Sequence, residues 1–128
     1  MTALLDTHTV VWTAIGSAKL SPLARATIRN SADRMLVSSA SAWEIATKVR
    51  LGKFPEAVSV ELDFINIPEE SGFEFLDLTV EAALLAGRLA GTHKDPFDRM
   101  LAAQALVLDI PIISADSELE GFGVRLIW

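Results

Sequence analysis

The chain contains no cysteine. That excludes disulfides and thiolate metal sites, and it agrees with a reducing compartment such as the cytoplasm. No apolar run approaches the ~18 residues that a membrane-spanning helix needs. The opening stretch MTALLDTHTVVWTAIG has no basic leader and carries Asp6 and His8, so a secretion signal is not expected. There is no low-complexity segment, internal repeat or linker-like stretch. Positive charge is also scarce, with 11 Lys and Arg against 17 Asp and Glu and a net charge of −6. Nucleic-acid binders normally carry a basic footprint. Such a partner is therefore expected only if bases cluster locally or bound cations offset the acids.

What is present suits one domain. The 128 residues are 51% hydrophobic, with a mean hydropathy of +0.37. A chain of this size buries enough surface for a layered core. Short apolar runs alternate with helical patterns, which predicts an α/β fold with a largely parallel sheet. Strands are expected at residues 3–5, 35–38, 73–76, 110–114 and 124–127. Helices are expected at residues 9–15, 22–30 behind the Ser21-Pro22 start, 41–51, 80–90 behind Thr79, and 96–108. Residues 58–67 read as a further helix, broken by the stretch from Pro68 to Gly72, and residues 91–94 as a loop.

Four acids stand at element junctions, and each has an ordinary structural reading. Asp6 ends the first strand, where an aspartate caps or turns the chain. Glu44 completes Ser41-Ala42-Trp43-Glu44, which has the form of a capping box. Asp98 falls in the first turn of the helix that opens at Pro96, where the dipole favours a carboxylate, and Asp95 is the better cap. Asp116 follows the fourth strand as a turn residue. Together they are less ordinary. In a parallel sheet the strand carboxyl ends and the helix starts that follow them share one edge, where ligands bind. Carboxylates gathered there take up protons or bind a hard cation. Such ions activate water and stabilise a phosphodiester's leaving oxygen.

With these residues in hand, the sequence resembles the PIN-domain ribonucleases, and among them the VapC-type toxins of toxin–antitoxin pairs. "LLDTH" resembles the family's opening strand and first acid, and "SSASAWEIATKVRLGKF" the segment of the second. "HKDPFDRMLAAQA" is similar to the segment of the third, "PIISAD" to the last strand and fourth acid, and "GVRLIW" to a common ending. The resemblance covers nearly the whole chain. It implies a single three-layer α/β/α sandwich with a central, mostly parallel sheet. It assigns Asp6, Glu44, Asp98 and Asp116 to an acidic quartet that binds Mg²⁺ or Mn²⁺, with Asp6 and Asp98 on the main cation. It further implies an RNA substrate, often tRNA or rRNA, a VapB-like antitoxin and a homodimer. Ser114 stands where threonine is frequent, and "DSELEGF" is acidic for the rim of an RNA groove.

Around the quartet, Thr7, Ser114, Asp95 and Arg99 are candidates to orient the ligands from behind. Lys48, Arg50, Lys53 and Lys94 are candidates for RNA phosphates; a solvated helix end with an i,i+4 Glu44–Lys48 pair competes for the first three. His8 and His93 lack metal-ligand spacing and are expected in loop or packing roles. Trp12 and Trp43 are expected in the core or an interface. Two other functions compete with this one. A receiver-like signalling module would carry adjacent acids after its first strand and a lysine after its last, whereas Asp6 is followed by Thr7-His8 and no lysine lies near Ser114-Ala115-Asp116. A catalytically silent PIN scaffold would retain the fold without turnover.

Overall fold

The computed structural model describes residues 1–91 and 94–128. Among them five short strands form one parallel sheet: β1 (Thr2–Leu5), β2 (Arg34–Ser38), β3 (Glu74–Leu76), β4 (Ile112–Ile113) and β5 (Leu126–Ile127). Their order is β3-β2-β1-β4-β5. Leu4 pairs with Leu36 on one side and Ile112 on the other, and Leu5 with Val37 and Ile113.

The central strands β1, β2 and β4 are largely apolar on both faces because both faces are covered. Ala3, Leu5, Met35, Val37 and Ile113 point to one core. Helices α1 (Thr7–Ile15), α2 (Pro22–Arg29), α3 (Ser39–Arg50), α4 (Val58–Leu62) and α5 (Ile67–Ser71) cover it, through residues such as Val10, Ala24, Ile45, Val60 and Ile67. The alternate residues Leu4, Leu36 and Ile112 meet Leu101, Ala102 and Ala105 on the other side. Those belong to α7 (Pro96–Leu108), against which α6 (Val80–Arg88) is packed. Ala82, Ala86 and Ala103 make that second contact. The result is the expected three-layer sandwich, and no described helix is long and apolar enough to cross a membrane.

Several boundaries differ from the sequence reading, each for a local reason. Helix α1 begins at Thr7 rather than residue 9, because Asp6 is its cap. Helix α3 begins at Ser39, with Ser38 as cap accepting from the Ala40 N–H; Ser41 and Glu44 therefore form no capping box. The region from 55 to 71 is not one helix. A 3₁₀ turn (Pro55–Ala57), α4, a second 3₁₀ turn (Phe64–Asn66) and α5 follow one another. Pro68 opens α5 instead of breaking a helix, a position that suits a residue without an N–H. Strand β4 is shorter than expected because the Ile110 N–H turns back to Ala105 O at 3.0 Å. Asp109, at φ 52, closes α7 in the left-handed conformation, and Pro111 has no N–H to give the ladder.

Candidate functional site

The chain lays down β1, β2 and β3 in one direction, then returns to place β4 and β5 on the other side of β1. The crevice at the strand carboxyl ends, where the order reverses, is the expected ligand site of such a sheet. Here it is flanked by β1 and β4. Main-chain pairing runs past both strands, with the Asp6 N–H donating to Ile113 O and the Ser114 N–H to Ile127 O, each at 3.2 Å. Asp6 and Ser114 are thus fixed side by side at the switch point by the sheet itself.

Asp6 is buried. Its Oδ1 accepts the Thr9 N–H at 2.8 Å, and its Oδ2 accepts the Ser114 hydroxyl. Burial pushes the carboxyl above its ordinary value, against these hydrogen bonds and the weaker pull of His8. Ser114 in turn accepts the Asp116 N–H at 2.9 Å. Asp116 caps the 3₁₀ segment Ser117–Phe122 through the Glu118 N–H, as its turn reading anticipated. One hydroxyl therefore links the acid after β1 to the backbone of the acid after β4.

Glu44 is a buried residue inside α3, facing the start of α1. The Thr7 hydroxyl donates to its Oε1 at 2.6 Å. Having only one proton, Thr7 must accept from Ser41 in the 2.9 Å contact between their hydroxyls. The other oxygen, Oε2, takes the Lys48 ammonium in the i,i+4 pair. Partial burial pulls Lys48 down. The hydrogen bond and charge of Glu44, with Asp95 and Asp98 behind it, outweigh that and hold it above the usual lysine value. Lys48 also lies 5.9 Å from the Phe97 ring centroid, and Phe97 meets Trp43 edge-on at 5.0 Å. The start of α7 is thereby seated beside α3.

Asp95 and Asp98 divide as the sequence suggested. Asp95 caps α7, accepting the N–H groups of Phe97 at 2.9 Å and Asp98 at 3.3 Å. Asp98 lies half-buried in the first turn. The structure thus brings Asp6, Ser114 and Asp116 together, and Glu44, Lys48, Thr7 and Ser41 together. Thr7 follows Asp6 in the chain and joins the two groups.

The donor set is carboxylate and hydroxyl oxygen, with a buried carboxylate at its centre that only neutral groups hydrogen-bond. That chemistry fits a hard divalent cation. Among the described residues, however, no three Asp, Glu or His side chains converge into a finished metal cage.

Other candidates have different surroundings. Arg99 reaches α6: Nε donates to Ala86 O at 2.8 Å, a terminal nitrogen donates to Leu89 O, and the group lies 5.5 Å from the Phe122 ring centroid. Arg50, Lys53 and Lys94 are exposed. His8 is exposed and touches Trp12 and Phe54. Trp43 is 59% exposed, so it is no core residue. His93 lies outside the described residues. Sequence reasoning missed Ser41 as a partner of Thr7, because S-x-x-E is the form of a local cap. It also missed the buried Ser38–Gln104 hydrogen bond at 2.5 Å.

A search of curated proteins finds no significant match. Solved structures do resemble the chain. A chain of VapBC2 from Rickettsia felis, solved with a DNA fragment from their promoter, superposes with a TM-score of 0.68 at 18% identity, covering 98% of this chain and 97% of its own. FitAcB from Neisseria gonorrhoeae gives 0.64 at 18% identity, with 98% and 96% covered. VapBC-1 from nontypeable Haemophilus influenzae gives 0.56 at 18% identity, with the same coverage. The sequence profile of the PIN domain matches residues 3–124, and with nearly all of its length inside that match the chain belongs to the PIN domain family.

Proposed function

We propose that the protein is a Mg²⁺- or Mn²⁺-dependent endoribonuclease that acts as the toxin of a toxin–antitoxin pair. The observation that carries this reading is the placement of Asp6 and Asp116 at the switch point of a PIN fold, with Thr7 tying Glu44 to the same edge. On this reading Asp6 and Asp98 hold the main cation, while Glu44 and Asp116 complete its surroundings, directly or through water. A divalent cation bound there supplies positive charge for the attacking and leaving oxygens of a phosphodiester. The chain's own groups fix the geometry. Ser114 and the Thr9 N–H hold the Asp6 carboxylate in one orientation, and Thr7 holds Glu44. Arg50, Lys53 and Lys94 offer exposed positive charge to RNA phosphates, which the net charge of the chain conceals.

The likeness to chains from VapBC and FitAcB complexes supports a VapB-like antitoxin partner. The same reading takes the enzyme to be a cytoplasmic homodimer. The test is incubation of the purified chain with tRNA and rRNA in Mg²⁺ or Mn²⁺. Cleavage should leave 5′-phosphate and 3′-hydroxyl ends, and stop with a chelator or with Asp6→Asn or Asp98→Asn. Products ending in 2′,3′-cyclic phosphate, or full activity in both variants, would overturn the assignment.

A further inference from the structure

The two buried carboxylates of the site are neutralised differently. Around Asp6 the hydrogen-bond donors are a hydroxyl and a backbone N–H, both neutral. Around Glu44 one oxygen takes the Thr7 hydroxyl and the other takes a full positive charge, the Lys48 ammonium. Glu44 is only 3% exposed in its side chain and Lys48 29%, so solvent screens the pair weakly. Lys48 is also held in place. Its ammonium approaches the Phe97 ring, Phe97 is braced by Trp43, and the charges of Asp95 and Asp98 reach it from the start of α7.

We infer that Lys48 is the site's second cation, a positioning residue that holds Glu44 and limits the site to one divalent ion, on the Asp6 side. This rests on the nuclease reading and specifies its metal count. A divalent ion at Glu44 would have to displace a buried ammonium already hydrogen-bonded to that carboxylate, or sit against it as a like charge. At Asp6 no ammonium is hydrogen-bonded to the carboxylate, whose donors are the Thr9 N–H and the Ser114 hydroxyl. Lys48 thus occupies the carboxylate that a second metal would need in a two-ion site, where paired cations about 3.5–4 Å apart flank the phosphodiester. It acts through Glu44 and Thr7, and need not touch the substrate.

The experiment is titration of the full chain with Mn²⁺, read by calorimetry and by the electron paramagnetic resonance of free Mn²⁺. The wild type should bind one equivalent. Lys48→Arg, which keeps the charge, should also bind one. Lys48→Met should bind a second, because Glu44 then lacks its cation. Lys48→Gln, whose amide can still donate to Glu44, should do the same and serves if the methionine variant does not fold. Two equivalents in the wild type, or one in both neutral variants, overturn the inference while leaving a metal-dependent nuclease intact. A wild type that binds no Mn²⁺ overturns the nuclease reading and this inference with it.

Discussion

The Thr7 hydroxyl donates to Glu44 at 2.6 Å, so a hydrogen bond in the protein interior ties the first residue of α1 to a residue inside α3. Thr7→Val keeps the shape and removes that donor. It leaves a buried carboxylate oxygen and the Ser41 hydroxyl short of a partner. Unfolding in urea should show a loss of about 1–3 kcal/mol, and Thr7→Ser should recover most of it. An unchanged midpoint in the valine variant would mean that Glu44 is held by Lys48 alone.

Asp6 carries a stability penalty. Burial raises its carboxyl above the usual 3.8 despite its hydrogen bonds. A carboxyl raised on folding weakens the fold where it is charged, above its folded value, and the penalty vanishes below the unfolded value. Asp6→Asn should therefore melt higher than the wild type at pH 7 in a chelator, and this advantage should shrink as the pH falls towards 4. Cleavage would be lost in the same variant. A lower melting temperature at pH 7 would show that the Ser114 and Thr9 hydrogen bonds outweigh burial.

The two aspartates at the start of α7 should separate stability from activity. Asp95→Ala removes a cap that satisfies two N–H groups and should cost about 0.5–2 kcal/mol. Asp98→Asn keeps the Asp95 cap and the side-chain shape while removing a first-turn charge whose dipole interaction is worth about 0.3–1 kcal/mol, and it should abolish cleavage. Chemical denaturation and an RNA assay on both variants check this. Asp98→Asn retaining activity would remove Asp98 from the site.

Arg99 should prove structural. Its guanidinium donates to the carbonyls of Ala86 and Leu89 at the end of α6. Arg99→Ala should cost about 1.5–3 kcal/mol, the range for hydrogen bonds from a charged group, and speed amide exchange in the last turn of α6. Lysine lacks the fork that serves two carbonyls, so Arg99→Lys should rescue little.

Signals carried by neighbouring residues were legible in the sequence. Asp95-Pro96 opened α7, Ser21-Pro22 opened α2, and the apolar runs marked the strands. The second acid shows where such reading stops. Ser41 and Glu44 have the spacing of a cap, and no local rule tells a cap from an interior pair. What decides is Thr7, far away in sequence, which draws both side chains to the sheet edge. The cap of α3 then falls to Ser38. Residues 58–67 misled for another reason: their apolar positions fit a helix, but the 3₁₀ turn at Phe64–Asn66 divides the stretch while Val60, Phe64 and Ile67 are buried in one core. The neighbourhood of Asp6 and Ser114 depends on the register of β1 against β4, which is a property of the assembled sheet.

That register limits how the gene can vary. Side chains alternate across a strand, so one residue inserted or deleted within β1 or β4 would turn Asp6 or Ser114 towards the opposite layer. Point substitutions in these strands leave the crevice in place, and length changes do not. Related genes that keep the function should therefore gather their insertions and deletions in connections such as the one between α2 and β2, and keep the lengths of β1 and β4 constant.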